Sequence, residues 1–278
     1  MLIIKEFTMG NIDRKIDRFL EYLLERDFKK NVIEGLETTA FIAIGGLIIG
    51  LLIGTLIATI RVLPKNKIKP KSDKNMPKGS KKIIKKIIKK IIGVLFYIRS
   101  YVIPKLLDSL CTLYVGFFRG TPIVVQLLLA HYVILPLLGI NIEGLYTALA
   151  VFGLNSGAYI SEIMRGGILS VDPGQMEGGR SVGMGYGATM MKIVIPQAIK
   201  NIIPSLGNEF IALIKETSVV SFVAITDLYK AFKDIGTRTY DFIIPYLAMA
   251  IIYIVVVMII TMLIKILERW LRKSDRGR

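Results

Sequence analysis

Long apolar runs alternate with short charged connectors along this chain, and the length of the runs sets the first expectation. A hydrocarbon core of about 30 Å needs about 20 apolar residues in a helix. Five stretches qualify, at about 39–60, 121–139, 144–163, 203–225 and 242–266. The first carries Gly46, Gly50 and Gly54 at four-residue spacing, a small-residue face suited to close helix contact. Only Gly139 to Glu143 separates the second from the third, which predicts a tight helical hairpin. The fourth is less apolar and holds Asn208, Glu209, Lys215, Glu216, Thr217 and Ser218. The fifth is almost purely aliphatic through Ile251–Ile260 and is expected to face lipid. The pattern predicts an all-α polytopic membrane protein with five transmembrane helices.

Two further segments have helical periodicity without the length to span. Residues 11–28 place Ile12, Ile16, Phe19, Leu20, Leu23 and Leu24 on one face, as in a helix lying on a membrane surface. Lys81 to Ile92 reads KKIIKKIIKKII, a helix expected to lie in the interface with its lysines toward anionic head groups. Pro64 to Ser80, rich in Lys, Pro and Asn, reads as a flexible linker before it.

Composition and charge orient this arrangement. Of 278 residues 53% are hydrophobic, mean hydropathy is +0.57, and the net charge is +16 from 37 basic and 21 acidic residues. Such a charge on a soluble chain would point to nucleic acid; on a membrane protein it marks cytoplasmic loops. Residues 61–119 carry sixteen basic residues against Asp73 and Asp108, and the tail from Lys265 carries six against Glu268 and Asp275. The first 36 residues have seven of each sign, and 226–241 three of each. The bias places the N-terminus outside and the C-terminus in the cytoplasm, as five spans require. No cleavable signal peptide is visible in residues 1–30. Cys111 and His131 are each the lone residue of their type, so neither a disulfide nor a Cys/His metal cluster is expected. Both read as packing residues.

The segment after the third span carries a spaced motif. It runs Glu177-Gly178-Gly179-Arg180-Ser181-Val182-Gly183, then nine residues, then Ile193-Val194-Ile195-Pro196. This resembles the coupling-loop signature of ABC-importer permeases: Glu-Ala-Ala, three residues, Gly, nine residues, Ile-x-Leu-Pro. Gly178 and Gly179 replace the alanines and Ile195 the leucine. Each glycine is expected to loosen the first short helix by about 0.5–1 kcal/mol relative to alanine. The flanks extend the likeness: Asn155 to Glu162, Arg165-Gly166-Gly167-Ile168, Gly174-Gln175, Pro204, Leu206 to Ile211, Lys215 to Ser218, Phe117 to Pro122, Gln126, and Gly35-Leu36 with Thr38-Thr39. Together these are similar to the polar amino acid permeases of the histidine/glutamine uptake family over about 35–61 and 115–270.

That resemblance implies a type I ABC-importer permease architecture with a cytoplasmic coupling loop. It divides the chain into an extracellular amphipathic segment (1–36), a permease transmembrane domain (37–270) and a basic cytoplasmic tail (271–278). The domain carries a basic cytoplasmic insertion at about 64–105 and the coupling loop at about 165–200. The implied role is the pathway subunit of an importer for polar or charged amino acids in a bacterial plasma (inner) membrane. ATP and Mg would be bound by partner ATPase subunits, with no cofactor in this chain. No Gly-x-x-x-x-Gly-Lys-Ser/Thr run occurs, and Lys78-Gly79-Ser80 has its residues out of order. Further implied partners are an extracellular amino-acid-binding protein, a second permease copy or sister permease, the amino acid substrate and membrane lipids, but not nucleic acid.

The resemblance assigns ATPase coupling to Glu177, Gly178, Gly179, Gly183, Ile193, Ile195 and Pro196. A helix of about 175–182 would break at Gly183, and Pro196 would end the loop and set the angle into the next span. Polar residues within spans face protein or water, which makes Gln126, Asn155, Ser156, Asn208, Glu209, Thr217 and Ser218 candidates for the substrate path or for interhelical hydrogen bonds. Tyr159 and Glu162 lie toward the cytoplasmic end, suited to a gate or to the coupling loop. Two other classes remain open: an ion-coupled secondary transporter, which would show internal repeats, and a non-transporting membrane scaffold.

Overall fold

A computed structural model describes residues 14–17, 19–21, 26–62 and 102–273, which form helices and connecting turns with no strand. The KKIIKKIIKKII segment lies outside the described residues, as does much of the segment at 11–28. The described helices are α1 (Arg26–Val62), α2 (Ile103–Gly120), α3 (Ile123–Leu137), α4 (Gly144–Leu169), α5 (Pro173–Ser181), α6 (Tyr186–Thr189), α7 (Ile195–Glu216), α8 (Leu228–Thr239) and α9 (Ile243–Lys273).

The α1–α4 pair is the spine, and its glycines explain the spacing. A Cβ on Gly50 would sit 2.8 Å from the Ser156 Cβ, and one on Gly54 2.7 Å from the Ile160 Cγ2. The relation is reciprocal: Cβ atoms on Gly153 and Gly157 would meet Ile49 at 2.5 Å and Ile53 at 2.9 Å. Each helix thus offers glycine where the other presents a side chain: Ser156 and Ile160 from α4, Ile49 and Ile53 from α1. In lipid, where burying apolar surface gains nothing, contact this close is what holds helices together. Arg61, at the last turn of α1, pairs with Glu162 of α4, and Arg165 Nη2 reaches the same carboxylate at 2.7 Å.

The next two helices are long and apolar enough to cross a membrane only when taken together. α2 and α3 meet at a bend of 106° around Thr121-Pro122. The sequence pattern places this span at 121–139 and leaves 103–120 among the connectors. The structure makes 103–120 a helix; Lys105, Asp108 and Arg119 hide from the pattern a stripe of Leu106, Leu110, Leu113 and Phe117 that stays exposed along one face. Gly139, at φ +69°, closes the short turn from α3 into α4, as the hairpin reading expected.

A second departure lies after α7. A seven-residue 3-10 turn, Thr217–Val223, ends at Ala224 in the left-handed region. Asp227 then caps α8, accepting from the N–H groups of Tyr229 (3.1 Å) and Lys230 (3.0 Å). The backbone of α1 approaches closely here: a Cβ on Gly35 would lie 2.7 Å from the Asp227 carbonyl oxygen, and Thr39 Oγ1 accepts from Leu228 N at 3.5 Å. This contact is what Gly35 and Thr39 of the opening motif provide. Ser218 and Lys215 face Tyr253 and Met249 of α9 across a groove of about 470 Å³. Tyr253 lies ten residues, about 15 Å, into α9. The break at 217–227 therefore sits at depth, and α8 returns the chain to the end where α9 begins.

α9 is the lipid-like helix: none of its most apolar window is buried within the chain. Its inner face packs through Ile244, Ala248 and Ile252 on Phe232 and Leu228, and through Ile264 on Gly207.

Candidate functional site: the coupling elbow and the polar centre

Residues 170–202 form an elbow at the end of the bundle that holds the last turn of α1. α5 begins on Asp172, whose Oδ1 accepts from Gly174 N at 2.8 Å, with Pro173 in the first turn where no N–H is needed. It ends on Gly183, at φ +86°. The chain then folds back so that α5 rests against α6. Gly179 is the contact, since a Cβ there would stand 2.4 Å from Thr189 Cγ2 and 3.1 Å from Ile193 Cδ1. Gly178, by contrast, faces open space. Gly179 is buried because nothing larger fits.

The elbow is fastened to the bundle on its inner side. Val171, Val194, Ala198 and Ile202 form a buried cluster, with Met176 and Met190 packed against it. Gln197 Nε2 donates to Gln175 Oε1 at 3.1 Å, and Asn201 Nδ2 to Ser170 Oγ at 2.9 Å. Its outer side is left bare. Glu177, Gly178, Gly183 and Pro196 are exposed, while Ile193 and Ile195 are partly buried beneath them. Two apolar side chains missed by the motif join this face: Val182, 77% exposed, and Met191, 64% exposed. Their only signal in the sequence is being apolar within a polar loop.

Pro196 does not end the helical path. A π turn, Met190–Val194, precedes it, and α7 continues through the first turn that holds the proline. Proline lacks the N–H for an α-helical bond and its ring excludes the carbonyl four residues back; the wider turn absorbs both. The same device recurs in α3, where the π turn Ala130–Ile134 precedes Pro136. Pro196 therefore sits within a continuous helical rod that joins the elbow to α7.

At mid-depth the polar candidates divide into two groups. Gln126 Nε2 donates to Phe118 O (2.9 Å) and to Thr121 O (3.0 Å), and its Oε1 accepts from Asn155 Nδ2 at 3.0 Å. Asn155 also reaches Phe118 O at 3.1 Å. These two amides hold the α2–α3 bend, with Arg119 over the Tyr159 ring at 5.3 Å beside them. The second group lies along α7. Ser156, on α4, is fully buried with its Oγ making no hydrogen bond among the described residues, Asn208 is exposed, and Thr217 and Ser218 donate back to the carbonyls of Ile214 and Lys215. Glu162 belongs to neither group, being held in the ion cluster with Arg61 and Arg165. His131 Nδ1 lies 3.3 Å from Thr147 Oγ1, and Cys111 is buried, each in a packing role.

An all-helical spine, two broken crossings with polar residues at depth, and a fastened elbow with one bare face define a membrane transport subunit. The sequence profile of the binding-protein-dependent transport system inner membrane components matches residues 90–273, and the chain belongs to that family. It is 39% identical over 162 residues to the arginine transport system permease protein ArtQ of Bacillus subtilis, covering 58% of this chain and 74% of that protein. The L-cystine transport system permease protein TcyB of the same organism is 37% identical over 57% of this chain and 68% of its own length. Among solved structures, an amino acid ABC transporter crystallised with histidines superposes with a TM-score of 0.71 at 32% identity, over 90% of this chain and 97% of that one. An inward-facing MetNI methionine ABC transporter shares the fold, with a TM-score of 0.64 at 13% identity over 89% of this chain and 99% of that one.

Proposed function

We propose that this chain is the pathway subunit of an ABC importer for a polar or charged amino acid, working by alternating access in a bacterial plasma membrane. The observation that carries the reading is the elbow: a short capped helix, fastened inward and bare outward, joined through a continuous helical rod to α7. ATPase subunits dock on the bare face, where Glu177 offers a carboxylate for a charge-assisted pair and Val182 and Met191 offer apolar contact. Those subunits bind ATP and Mg; this chain performs no bond chemistry. The elbow end is cytoplasmic, which agrees with Arg61 lying there. The opposite end, with the start of α1 and the α8–α9 turn, is extracellular and receives an amino-acid-binding protein.

A second permease subunit completes the pathway, and the exposed stripe of α2 is available to face it or lipid. Within the path, Glu209 suits a substrate ammonium, with Asn208 beside it in sequence and Ser156 on α4 as polar partners, while Thr217 and Ser218 line the break further along the chain. Gln126 and Asn155 serve by fixing the bend beside it. Amino acid transport by ArtQ, by TcyB and by the solved amino acid transporter supports this substrate class.

Co-purification in detergent with the candidate ATPase tests the reading, wild type beside Glu177→Ala. Stable association and hydrolysis stimulated by loaded binding protein are expected, both weakened about tenfold by the substitution, as loss of one charge-assisted contact would do. No association, with the variant indistinguishable from wild type, would contradict it.

A further inference from the structure

The turn between α8 and α9, at the end opposite the elbow, spends conformational energy that packing does not return. Tyr240, directly after α8, adopts φ +50° and ψ +25°, in the left-handed region. Glycine or asparagine normally occupies such a helix end. The tyrosine ring is 94% exposed, so burial does not explain its presence.

The surrounding turn is nonetheless fixed. Thr239 Oγ1 donates to Ile235 O at 2.9 Å and accepts from Asp241 N at 3.3 Å. Lys15 pairs with Asp241 at 3.0 Å, and Phe19 of the same N-terminal segment packs on Phe232 and Ile235. Beneath the turn, the Phe242 ring fills the space where a Gly236 Cβ would sit, 2.3 Å away. Lys230 is paired with Asp234, whereas exposed Lys233 and Arg238 make no ion pair among the described residues. The result is a braced turn that exposes one aromatic ring, with two cations on the helix before it: Arg238, which makes no ion pair among the described residues, and Lys233, which lies over the Tyr229 ring at 5.9 Å.

We propose that Tyr240, Arg238 and Lys233 are the docking point for the extracellular substrate-binding protein, through an acidic patch on that partner. The inference rests on the importer reading above and adds where the partner sits. Strained, over-determined backbone at an exposed residue points to recognition. Tyrosine and arginine are the side chains that most often carry interface energy, and the cations supply complementarity and steering. An interfacial tyrosine that only anchors the protein in lipid needs neither the strain nor the braced turn.

The test uses the full complex with its ATPase in lipid nanodiscs and again in detergent, with hydrolysis followed against binding-protein concentration. Tyr240→Gly relieves the backbone, so a purely structural tyrosine predicts unchanged or better performance. Under the proposal its half-saturating concentration rises about tenfold, while basal hydrolysis and thermal stability are kept. Arg238→Glu shifts it similarly and flattens its dependence on salt. Unchanged half-saturation in both variants overturns the proposal and leaves the importer reading standing. So does a defect confined to nanodiscs, which assigns Tyr240 to the lipid interface, or an equal fall in basal and stimulated rates. A wild-type complex that binding protein does not stimulate overturns the importer reading, and this proposal with it.

Discussion

Glycine is concentrated in two regions of this molecule, the α1–α4 seam and the elbow, and it does different work in each. In the seam, Gly50, Gly54, Gly153 and Gly157 remove side chains so that two helices can touch; a Cβ on any of them would meet the facing helix within 3 Å. In the elbow the four glycines nearest the motif divide by task. Gly179 is a seam glycine in miniature, pressed on Thr189. Gly183 supplies a left-handed turn, and Gly178 and Gly185 meet no neighbour within 4 Å. The seam is a fixed spine, whereas the elbow is tight at Gly179, where α5 meets α6, and open at Gly178, Gly183 and Gly185.

The largest effect is expected at Gly50→Ile. Overpacking against Ser156 and Gly157 should cost about 3 kcal/mol, seen as a loss of folded, monodisperse protein in detergent. A seam that tolerated isoleucine would show that the helices can part, and the contrast would fail. Gly179→Val should cost about 1–3 kcal/mol, and should weaken ATPase association by displacing α5 from α6. Gly183→Ala forces a side chain into the left-handed region and should cost about 1 kcal/mol, read from the thermal midpoint of the purified subunit. The smallest and opposite effect belongs to Gly178→Ala. With open space for the methyl group, α5 should gain about 0.5–1 kcal/mol of helix propensity, and ATPase association should be kept or improved. A loss there would mean that the ATPase itself fills the space above Gly178.

What could be read in advance follows the same division. Four-residue glycine spacing exposes the seam, because the period of a helix makes a face visible in one dimension. Fixed spacing from Glu177 to Pro196 exposes the elbow, and Asp172, Gly183 and Pro196 punctuate it. Three features escape such reading. Residues 103–120 form a helix although Lys105, Asp108 and Arg119 hide its apolar stripe. The break after α7 is written in Val219, Val220, Phe222, Val223 and Ile225, which look like continuing helix; the cause is tertiary, the close approach of Gly35 to Asp227. Gln126 and Asn155 stand out as polar residues in apolar spans, but only three dimensions show that they hold each other and the 106° bend.

The central claim is that this chain moves amino acids with energy supplied by a separate ATPase. Uptake of labelled arginine, histidine, glutamine and cystine into proteoliposomes holding the chain, its ATPase and binding protein tests it most directly, with ATP inside or outside the vesicles and with ion gradients imposed or collapsed. The account predicts uptake of at least one of these that requires ATP on the elbow side, requires binding protein on the other, and ignores the gradients. Uptake by the chain alone, driven by an ion gradient, would contradict it.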